Sequence, residues 1–336
     1  MSQDPVQQVM QLATGYIASS ALYVAVELEV AEHLKDGART SAQLAAATGA
    51  NEGVLHRILR LLASLGLFEQ TGPRSYALTP ASTLLCKGTP GSMRGMARFL
   101  PDPTHLRVYA DLMESAMTGR PAAEKALGKP VFQYLAENPE YSEIFNDAMT
   151  ALSAPVAGAA IAAYDFSRFA RIVDVAGGHG EVLMSILRAC PGTKGVLADL
   201  GHVVKGARGR IEKAGLSDRC EAVECDFFES VPAGGDAYVM KHIIHDWDDE
   251  RALLILRNIH AAMGEKRGTV VLLESVIPEG PAPDLGKFID IEMLVMPGGL
   301  ERTEAEFRDL FERAGFSLKR VVATQSPLSV VEAVRN

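Results

Sequence analysis

Apolar residues recur at helical spacing through residues 5–35 and cover most of the helix circumference. They are Val6, Val9, Met10, Ile17, Leu22, Val26, Leu28 and Leu34. A helix that is apolar nearly all round must be buried. The pattern therefore predicts a helix over 5–35 that packs within its own domain or against a second subunit.

Residues 40–80 follow a different pattern. TSAQLAAATG predicts a short capped helix, and EGVLHRILRLLASLG predicts a second amphipathic helix that ends at Gly66. LFEQ and SYALT, separated by TGPR, have the alternation of a small hairpin. Helix, turn, helix and hairpin in this order indicate a winged helix. Residues 90–165 remain helical, with several prolines as breaks.

From about residue 169 the chain alternates between strands and helices. The predicted strands are RIVDVA, KGVLADL, CEAVECD, DAYVMKHII and GTVVLLESVI. This alternation is typical of a parallel, doubly wound sheet. At the end, a helix that begins with the capping box of Thr303 and Glu306 leads to two strands, SLKRVVATQ and LSVVEAVRN, which we expect to be antiparallel.

The patterns together predict an α/β protein with three parts. An all-α and winged-helix domain occupies 1–100, a helical linker occupies 101–165, and a Rossmann-like domain occupies 166–336. The formal net charge of −9 disfavours nucleic acid as a partner, because binding phosphates requires a surplus of Lys and Arg.

Targeting signals and cysteine pairs are not evident. The four cysteines have no metal-ligand spacing, and we interpret them as reduced thiols of a cytoplasmic protein. We find no uninterrupted apolar run of the roughly 18 residues that a membrane span requires, and no secretory signal at the start. We therefore expect a cytoplasmic enzyme without a membrane segment.

Ligands of doubly wound sheets bind at the carboxyl ends of the strands. The first of these strands is followed by Gly177, Gly178 and Gly180, and glycines allow tight turns and close approach to a ligand. A dinucleotide site is the rival interpretation, but it expects a third glycine where this chain has Leu183. We therefore predict that these glycines contact a different ligand.

Acidic residues follow the next two strands. Asp199 is suited to accept both hydroxyls of a ribose, and Asp226 with Phe227 is suited to an adenine amino group beside an aromatic face. No cluster of cations for phosphates accompanies them. The three strand ends together fit a nucleoside without phosphates, such as S-adenosylmethionine.

The fourth strand is followed by the most specific motif, KHIIHDWDDE (241–250). With VDVAGGHG (173–180), ADL (198–200), CDFF (225–228), LLES (272–275) and PGGLERT (297–303), it makes the chain resemble the plant-type, class I-like small-molecule O-methyltransferases. The resemblance covers nearly the whole chain. The combination of HDWDDE with PGG-x-ERT is specific to that family, whereas the glycine loop is not.

The resemblance implies a catalytic set. His245 matches the general base of the family, and Glu274 and Glu301 match the two carboxylates that orient it. No metal is expected, because a sulfonium is already a strong electrophile. The implied reaction is an SN2 methyl transfer to a phenolic or polyketide-like hydroxyl.

The resemblance also implies binding residues. Lys241 and Trp247 match cofactor contacts, Asp246 matches a substrate contact, and Phe145 and Met149 match positions that line the space between methyl donor and acceptor. The N-terminal domain matches a dimerisation domain, which implies a homodimer whose partner contributes to the pocket.

Three positions receive a separate interpretation. Ala176 stands where the family usually has glycine, and we expect it to be tolerated with a negative φ. His242 is interpreted as structural, and the role of His179 stays open.

Two alternatives remain. A relative that binds the same cofactor but performs hydroxylation or decarboxylation is disfavoured because such relatives tend to lack the histidine. A winged-helix regulator that binds DNA is disfavoured by the acidic charge and by the apolar second helix.

Overall fold

The computed structural model describes residues 4–265 and 267–336. The chain forms two compact units. One comprises the residues up to Ala110 together with Leu135–Leu152, and the other comprises Asp111–Tyr134 together with Ser153–Asn336. The segment 101–165 therefore contributes to both units, and the three-part division with boundaries at 100 and 165 stays a prediction.

The first unit begins with the predicted helix, turn, helix and hairpin. Its elements are α1 (Pro5–Glu27), α2 (Val30–His33), β1 (Arg39–Thr40), α3 (Ser41–Thr48), α4 (Glu52–Ser64), β2 (Phe68–Gly72), β3 (Ser75–Leu78), α5 (Pro80–Thr83), α6 (Arg94–Phe99) and α7 (Pro103–Tyr109). Strand β3 pairs antiparallel with β2 and with β1. The capping box of Thr40 and Gln43 begins α3.

The helix predicted over 5–35 is interrupted. α1 ends at Glu27, and Glu29 adopts a left-handed conformation with φ 52° before α2 begins. The amino-terminal half of α1 leaves Val6, Val9 and Leu12 exposed by 68, 65 and 78%. Its apolar face is therefore not covered by the described residues of its own chain.

Two long helices, α1 and α11 (Pro139–Ala163), are long and apolar enough to cross a membrane by length and composition alone. Buried core helices of other proteins meet the same criterion, so this observation is weak evidence for a membrane segment. The expectation that no segment spans a membrane stays a prediction.

The second unit is built on a seven-stranded sheet. Its strands are β4 (Arg171–Val175), β5 (Lys194–Asp199), β6 (Cys220–Glu224), β7 (Ala237–Lys241), β8 (Thr269–Glu274), β9 (Phe316–Ala323) and β10 (Ser329–Arg335). Their order is β6-β5-β4-β7-β8-β10-β9. β4 to β8 are parallel and β10 is antiparallel to β9, as predicted; β10 is also antiparallel to β8.

Helices of this unit precede and connect the strands. They are α8 (Leu112–Thr118), α9 (Ala122–Leu127), α12 (Glu181–Ala189), α13 (Gly201–Lys213), α14 (Asp249–Met263), α15 (Leu285–Val295) and α16 (Glu304–Arg313). Helix α10 (Val131–Glu137) and α11 each contribute residues to both units. The predicted Rossmann-like, doubly wound fold is confirmed.

Apolar clusters lie on both faces of the sheet. One joins β4 and β5 to α12, α13 and the end of α11, and the other joins the strands to α14 and α16. Strand order reverses between β4 and β7, where a doubly wound sheet opens a crevice for ligands. The fold thus brings the carboxyl ends of β4, β5 and β7 together.

Candidate active site

The glycine loop follows β4 closely. A Cβ atom on Gly177 would overlap Asp174 Oδ2 and Leu197 Cδ1. Gly178 and Gly180 have φ values of 59° and 81°, which glycine adopts without steric cost. The loop therefore requires glycine at all three predicted positions and exposes bare backbone at the sheet edge.

Ala176 departs from the expected conformation. Its φ is 55°, so the expectation of a negative φ was wrong. A left-handed conformation costs an alanine about 1 kcal/mol or more. The Ala176 amide donates a hydrogen bond to the Ala198 carbonyl at 2.8 Å, which holds the strained turn against β5.

Asp199, at the end of β5, has a fixed orientation. Its Oδ2 accepts from the Gly178 amide and its Oδ1 from the Leu200 amide, both at 2.7 Å. Burial raises its pKa, and the two backbone N–H donors oppose that shift. The Gly178 amide thus connects the glycine loop directly to Asp199, the residue predicted to accept hydrogen bonds from the ribose.

Aromatic side chains gather beyond β6. The Phe228 and Trp247 rings meet edge to face at 4.8 Å between centroids, and Phe227 lies 6.1 Å from Trp247. Asp226 is exposed, and its Oδ1 accepts from the Phe228 amide. Asn258 donates to the carbonyls of Phe227 and Phe228 at 2.8 and 3.0 Å, a contact that sequence reasoning missed.

Asp174 is a further residue that sequence reasoning missed. It lies inside β4, fully buried, and its Oδ2 has no hydrogen-bond partner in the part of the chain that the structure describes. Burial and the Asp199 carboxylate raise the pKa of Asp174 to about 7, while Lys241 opposes the shift. Burial lowers the pKa of Lys241, which the charges of Glu274, Asp174 and Asp246 oppose. The sequence signal was an acid within the apolar run RIVDVA.

Replacing Asp174 with asparagine is expected to stabilise the ligand-free protein in a pH-dependent way. The unfolded chain releases this proton near its ordinary pKa of 3.8, whereas the folded protein retains it to about 7. The free energy of unfolding of the wild type therefore falls as pH rises from about 4 to 7, by up to about 4 kcal/mol. Urea unfolding of both proteins at pH 4 and 8 measures this difference.

The exposed Asp218→Asn is the matched control and should leave the pH dependence unchanged. A constant difference between Asp174→Asn and wild type across this pH range would contradict the assigned origin of the effect.

His245 lies on the 3₁₀ turn Ile244–Asp246 that follows β7, and only 6% of it is exposed. Its Nδ1 is 2.6 Å from Glu301 Oε1 and 3.8 Å from Glu274 Oε2. Its Nε2 is 3.5 Å from Asp246 Oδ1. The structure thus brings the three predicted catalytic residues and Asp246 together.

The three carboxyl groups around His245 all have raised pKa values, which favours their protonated form. Burial is the largest cause, and it raises the pKa of Glu274 to about 7, of Asp246 to about 7 and of Glu301 to about 8. Glu274 Oε1 also accepts from two backbone amides, those of residues 243 and 244, at 3.0 Å each. Groups with such pKa values exchange protons with an imidazole at low cost.

The segment that carries Glu301 is packed directly on the turn that carries His245. A Cβ on Gly299 would overlap the His245 carbonyl and would lie 2.6 Å from the Trp247 nitrogen. The Leu300 amide donates to the His245 carbonyl at 2.9 Å, and the Glu301 amide donates to Asp290 Oδ1 at 2.9 Å. This contact is the physical reason for the glycine in the PGG-x-ERT motif.

His242, His245 and Glu274 each place a possible ligand atom within 4.8 Å of the others. The two imidazole rings are stacked, however, 4.6 Å apart and 9° from parallel. An ion cannot lie in both ring planes in this arrangement, which argues against a shared metal. Burial and the neighbouring charges of His245 and Lys241 hold the pKa of His242 well below its ordinary value.

Three further positions were singled out in the sequence. Phe145 and Met149 are on α11 in the first unit, where Phe145 meets the Phe99 ring edge to face. Their role at the substrate stays a prediction. His179 is half-buried close to Gly206 of α13, and its pKa is lowered by burial and by Arg210.

Comparison with known proteins identifies two domains. Residues 109–317 match the O-methyltransferase domain, and residues 10–88 match the O-methyltransferase dimerisation domain. The chain is 43% identical to the phenazine O-methyltransferase PhzM of Lysobacter antibioticus, over 97% of this chain and 95% of the relative. It is 36% identical to the 8-amino-8-demethylriboflavin N,N-dimethyltransferase of Streptomyces davaonensis, over 97% and 94%.

Solved structures agree. The crystal structure of LaPhzM matches with a TM-score of 0.92 and 42% identity, over 99% of this chain and 100% of that chain. The O-methyltransferase NcsB1 from neocarzinostatin biosynthesis, in complex with S-adenosylmethionine and 2-hydroxy-5-methyl naphthoic acid, matches with a TM-score of 0.80 and 33% identity, over 94% and 95%.

Proposed function

Because this chain belongs to the O-methyltransferase family that carries an N-terminal dimerisation domain, we propose that it methylates a hydroxyl of a small aromatic molecule with His245 as general base. The enzyme uses S-adenosylmethionine, the methyl donor bound in related structures. The observation that carries the proposal is the buried His245, held at Nδ1 by Glu301.

The donor site fits S-adenosylmethionine on observations of this chain. Gly177 leaves no room for a side chain, Asp199 is fixed by two amides, and Asp174 keeps a buried oxygen without a partner in the described part of the chain. We propose that Gly177, Gly178, Gly180, Asp199, Asp226, Phe227, Lys241 and Trp247 hold it. When bound, the donor supplies the methyl group as an electrophilic sulfonium.

His245 lowers the cost of removing the hydroxyl proton. An unperturbed phenol and imidazole have pKa values near 10 and 6.5, so complete proton transfer is uphill by about 5 kcal/mol. In its anionic form Glu301 accepts from the Nδ1–H tautomer of His245, which leaves the Nε2 lone pair free to take a proton and stabilises the resulting imidazolium. Glu274 adds to this effect from 3.8 Å.

The acceptor class follows from the relatives. A phenazine methyltransferase and a structure that holds a hydroxylated naphthoic acid both point to a fused aromatic acceptor with a hydroxyl. We propose that Asp246, whose Oδ1 lies 3.5 Å from His245 Nε2, contacts an acceptor that reaches that nitrogen. We propose that Phe145 and Met149 line the acceptor space.

The assembly proposed is a cytoplasmic homodimer formed through the N-terminal domain, without nucleic acid or membrane partners. The dimerisation domain and the exposed apolar residues of α1 support the dimer. Light scattering with size-exclusion chromatography measures the mass, and a monomer at micromolar concentration would argue against it.

The reaction is tested by measuring S-adenosylhomocysteine release with hydroxyphenazines, hydroxynaphthoic acids, catechols and flavonoids, with product masses from mass spectrometry. We expect one fused-ring class to gain a single methyl group on oxygen. Methylation on nitrogen, as the name of the riboflavin relative indicates for that enzyme, or a mass gain other than one methyl group would overturn the proposed reaction.

A further inference from the structure

Arg302 is a cation within the catalytic motif that the mechanism above does not use. Only 1% of it is exposed, which places it among the largest fully buried side chains of the described residues. A buried guanidinium is costly unless its donors are paired. The hydrogen-bond acceptors of the Arg302 guanidinium therefore indicate which part of the site it stabilises.

The guanidinium binds both ends of the turn that carries His245. Its Nη1 donates to the Ile244 carbonyl at 3.2 Å and its Nη2 to the Trp247 carbonyl at 3.1 Å. Nη1 also approaches the Leu300 carbonyl at 3.4 Å, on the adjacent segment. Nε and Nη2 donate to Asp249 Oδ1 at 3.2 and 2.9 Å, at the start of α14.

The backbone of Arg302 is anchored to the other side of the site. The Ile277 amide donates to the Arg302 carbonyl at 3.0 Å, and residues 276 and 302 form a parallel bridge beyond β8. Glu301, the preceding residue, is thus held on a fixed segment while the Arg302 side chain binds the turn of His245. Arg302 therefore links the segment of Glu301 to the turn of His245.

We propose that Arg302 is a positioning residue for methyl transfer, which holds His245 in register with Glu301 and supplies the positive charge that favours the anionic form of Glu301. This inference rests on the proposed role of His245 as the base.

The charges that face Glu301 come from several elements. They are His245 on the turn, Glu274 on β8, Asp290 on α15, Asp246 on the turn and Arg302 itself. Burial and Asp290 raise the pKa of Glu301, and Arg302 opposes them. Removing the guanidinium therefore raises the pKa of Glu301 further, so that the carboxylate is lost at a higher pH.

The test is the pH dependence of kcat in Arg302→Met and Arg302→Lys, with S-adenosylhomocysteine binding measured by calorimetry. Arg302→Met is expected to lower kcat at least 100-fold, to leave the donor Kd within threefold and to move the acid limb of the profile upward by about one pH unit. Arg302→Lys keeps the positive charge but lacks the planar guanidinium with its several N–H donors. The acid limb of its pH profile should therefore stay near that of wild type while kcat falls about tenfold.

Arg313→Met is the matched control. Arg313 is exposed and also binds Asp249, through Oδ2 at 3.2 Å, but among the described residues it makes no hydrogen bond to the turn. It should retain the kcat and pH profile of wild type. If Arg302→Met does not fold, Arg302→Lys and the control decide the question through the same profile.

An unchanged kcat and profile in a folded Arg302→Met, or equal loss in both Arg302 variants without a shift of the acid limb, would overturn the inference. The assignment of His245 as the base is tested separately, because only the His245 variants decide it. If His245→Gln is inactive and Arg302→Met is not, only the role of Arg302 fails.

Discussion

Replacing His245 with glutamine is expected to lower kcat about 1,000-fold while the affinity for S-adenosylhomocysteine stays within threefold. General bases contribute about 10²–10⁴-fold to a rate, and glutamine cannot take a proton. Donor affinity should persist because the glycine loop and Asp199 are joined to each other and not to His245. Single-turnover kinetics and calorimetry measure the two quantities on one preparation.

His260→Gln is the matched control for this substitution. His260 lies on α14 and its Nε2 accepts from Arg335 Nε at 3.0 Å, with no contact to the catalytic turn among the described contacts. Its kcat should equal that of wild type. A kcat for His245→Gln within fivefold of wild type would refute the assignment of the base.

Replacing Gly299 with alanine is expected to lower both the free energy of unfolding and kcat strongly. The new methyl group would overlap the His245 carbonyl and the Asp246 backbone, neither of which is the mobile end of a side chain. The two segments must separate, which breaks the bond from the Leu300 amide to the His245 carbonyl. We expect a loss of about 4 kcal/mol or more in the free energy of unfolding.

Urea unfolding measures the stability, and kcat is measured on the folded fraction. Gly192→Ala is the control, because a Cβ at that position meets nothing within 4 Å. Wild-type stability in Gly299→Ala would show that the PGG segment tolerates displacement from the turn.

Local patterns predicted most of the fold for physical reasons. β4, β5, β7 and β8 are interior strands covered on both faces, so they appear in the sequence as largely apolar runs bounded by turns. The break in the first helix was not predictable in this way. Glu29 takes a left-handed conformation without the glycine or asparagine that usually indicates one.

Asp199 and the glycine loop were predicted because ligands of doubly wound sheets bind at the carboxyl ends of the strands. In a parallel sheet those ends all lie at the same edge, so the residues that follow each strand are brought together. His245 came from the resemblance to a family, since a histidine after a strand does not itself indicate a base. Arg302 and Asp290 were missed because their importance lies in contacts across distant segments, such as the bonds from Arg302 to residues 244 and 249. No local spacing encodes such contacts.

Acidic residues with pKa values near 7 make the formal net charge a poor guide to the charge at the site. Counting side chains gives −9 at pH 7, with every carboxyl taken as an anion. Burial raises the pKa values of Asp174, Glu274 and Glu301, and of the half-buried Asp246, to about 7, 7, 8 and 7. At pH 7 these four acids therefore carry less negative charge than the count assigns to them. An acceptor that carries its own carboxylate thus meets weaker repulsion there than the four acids would otherwise impose.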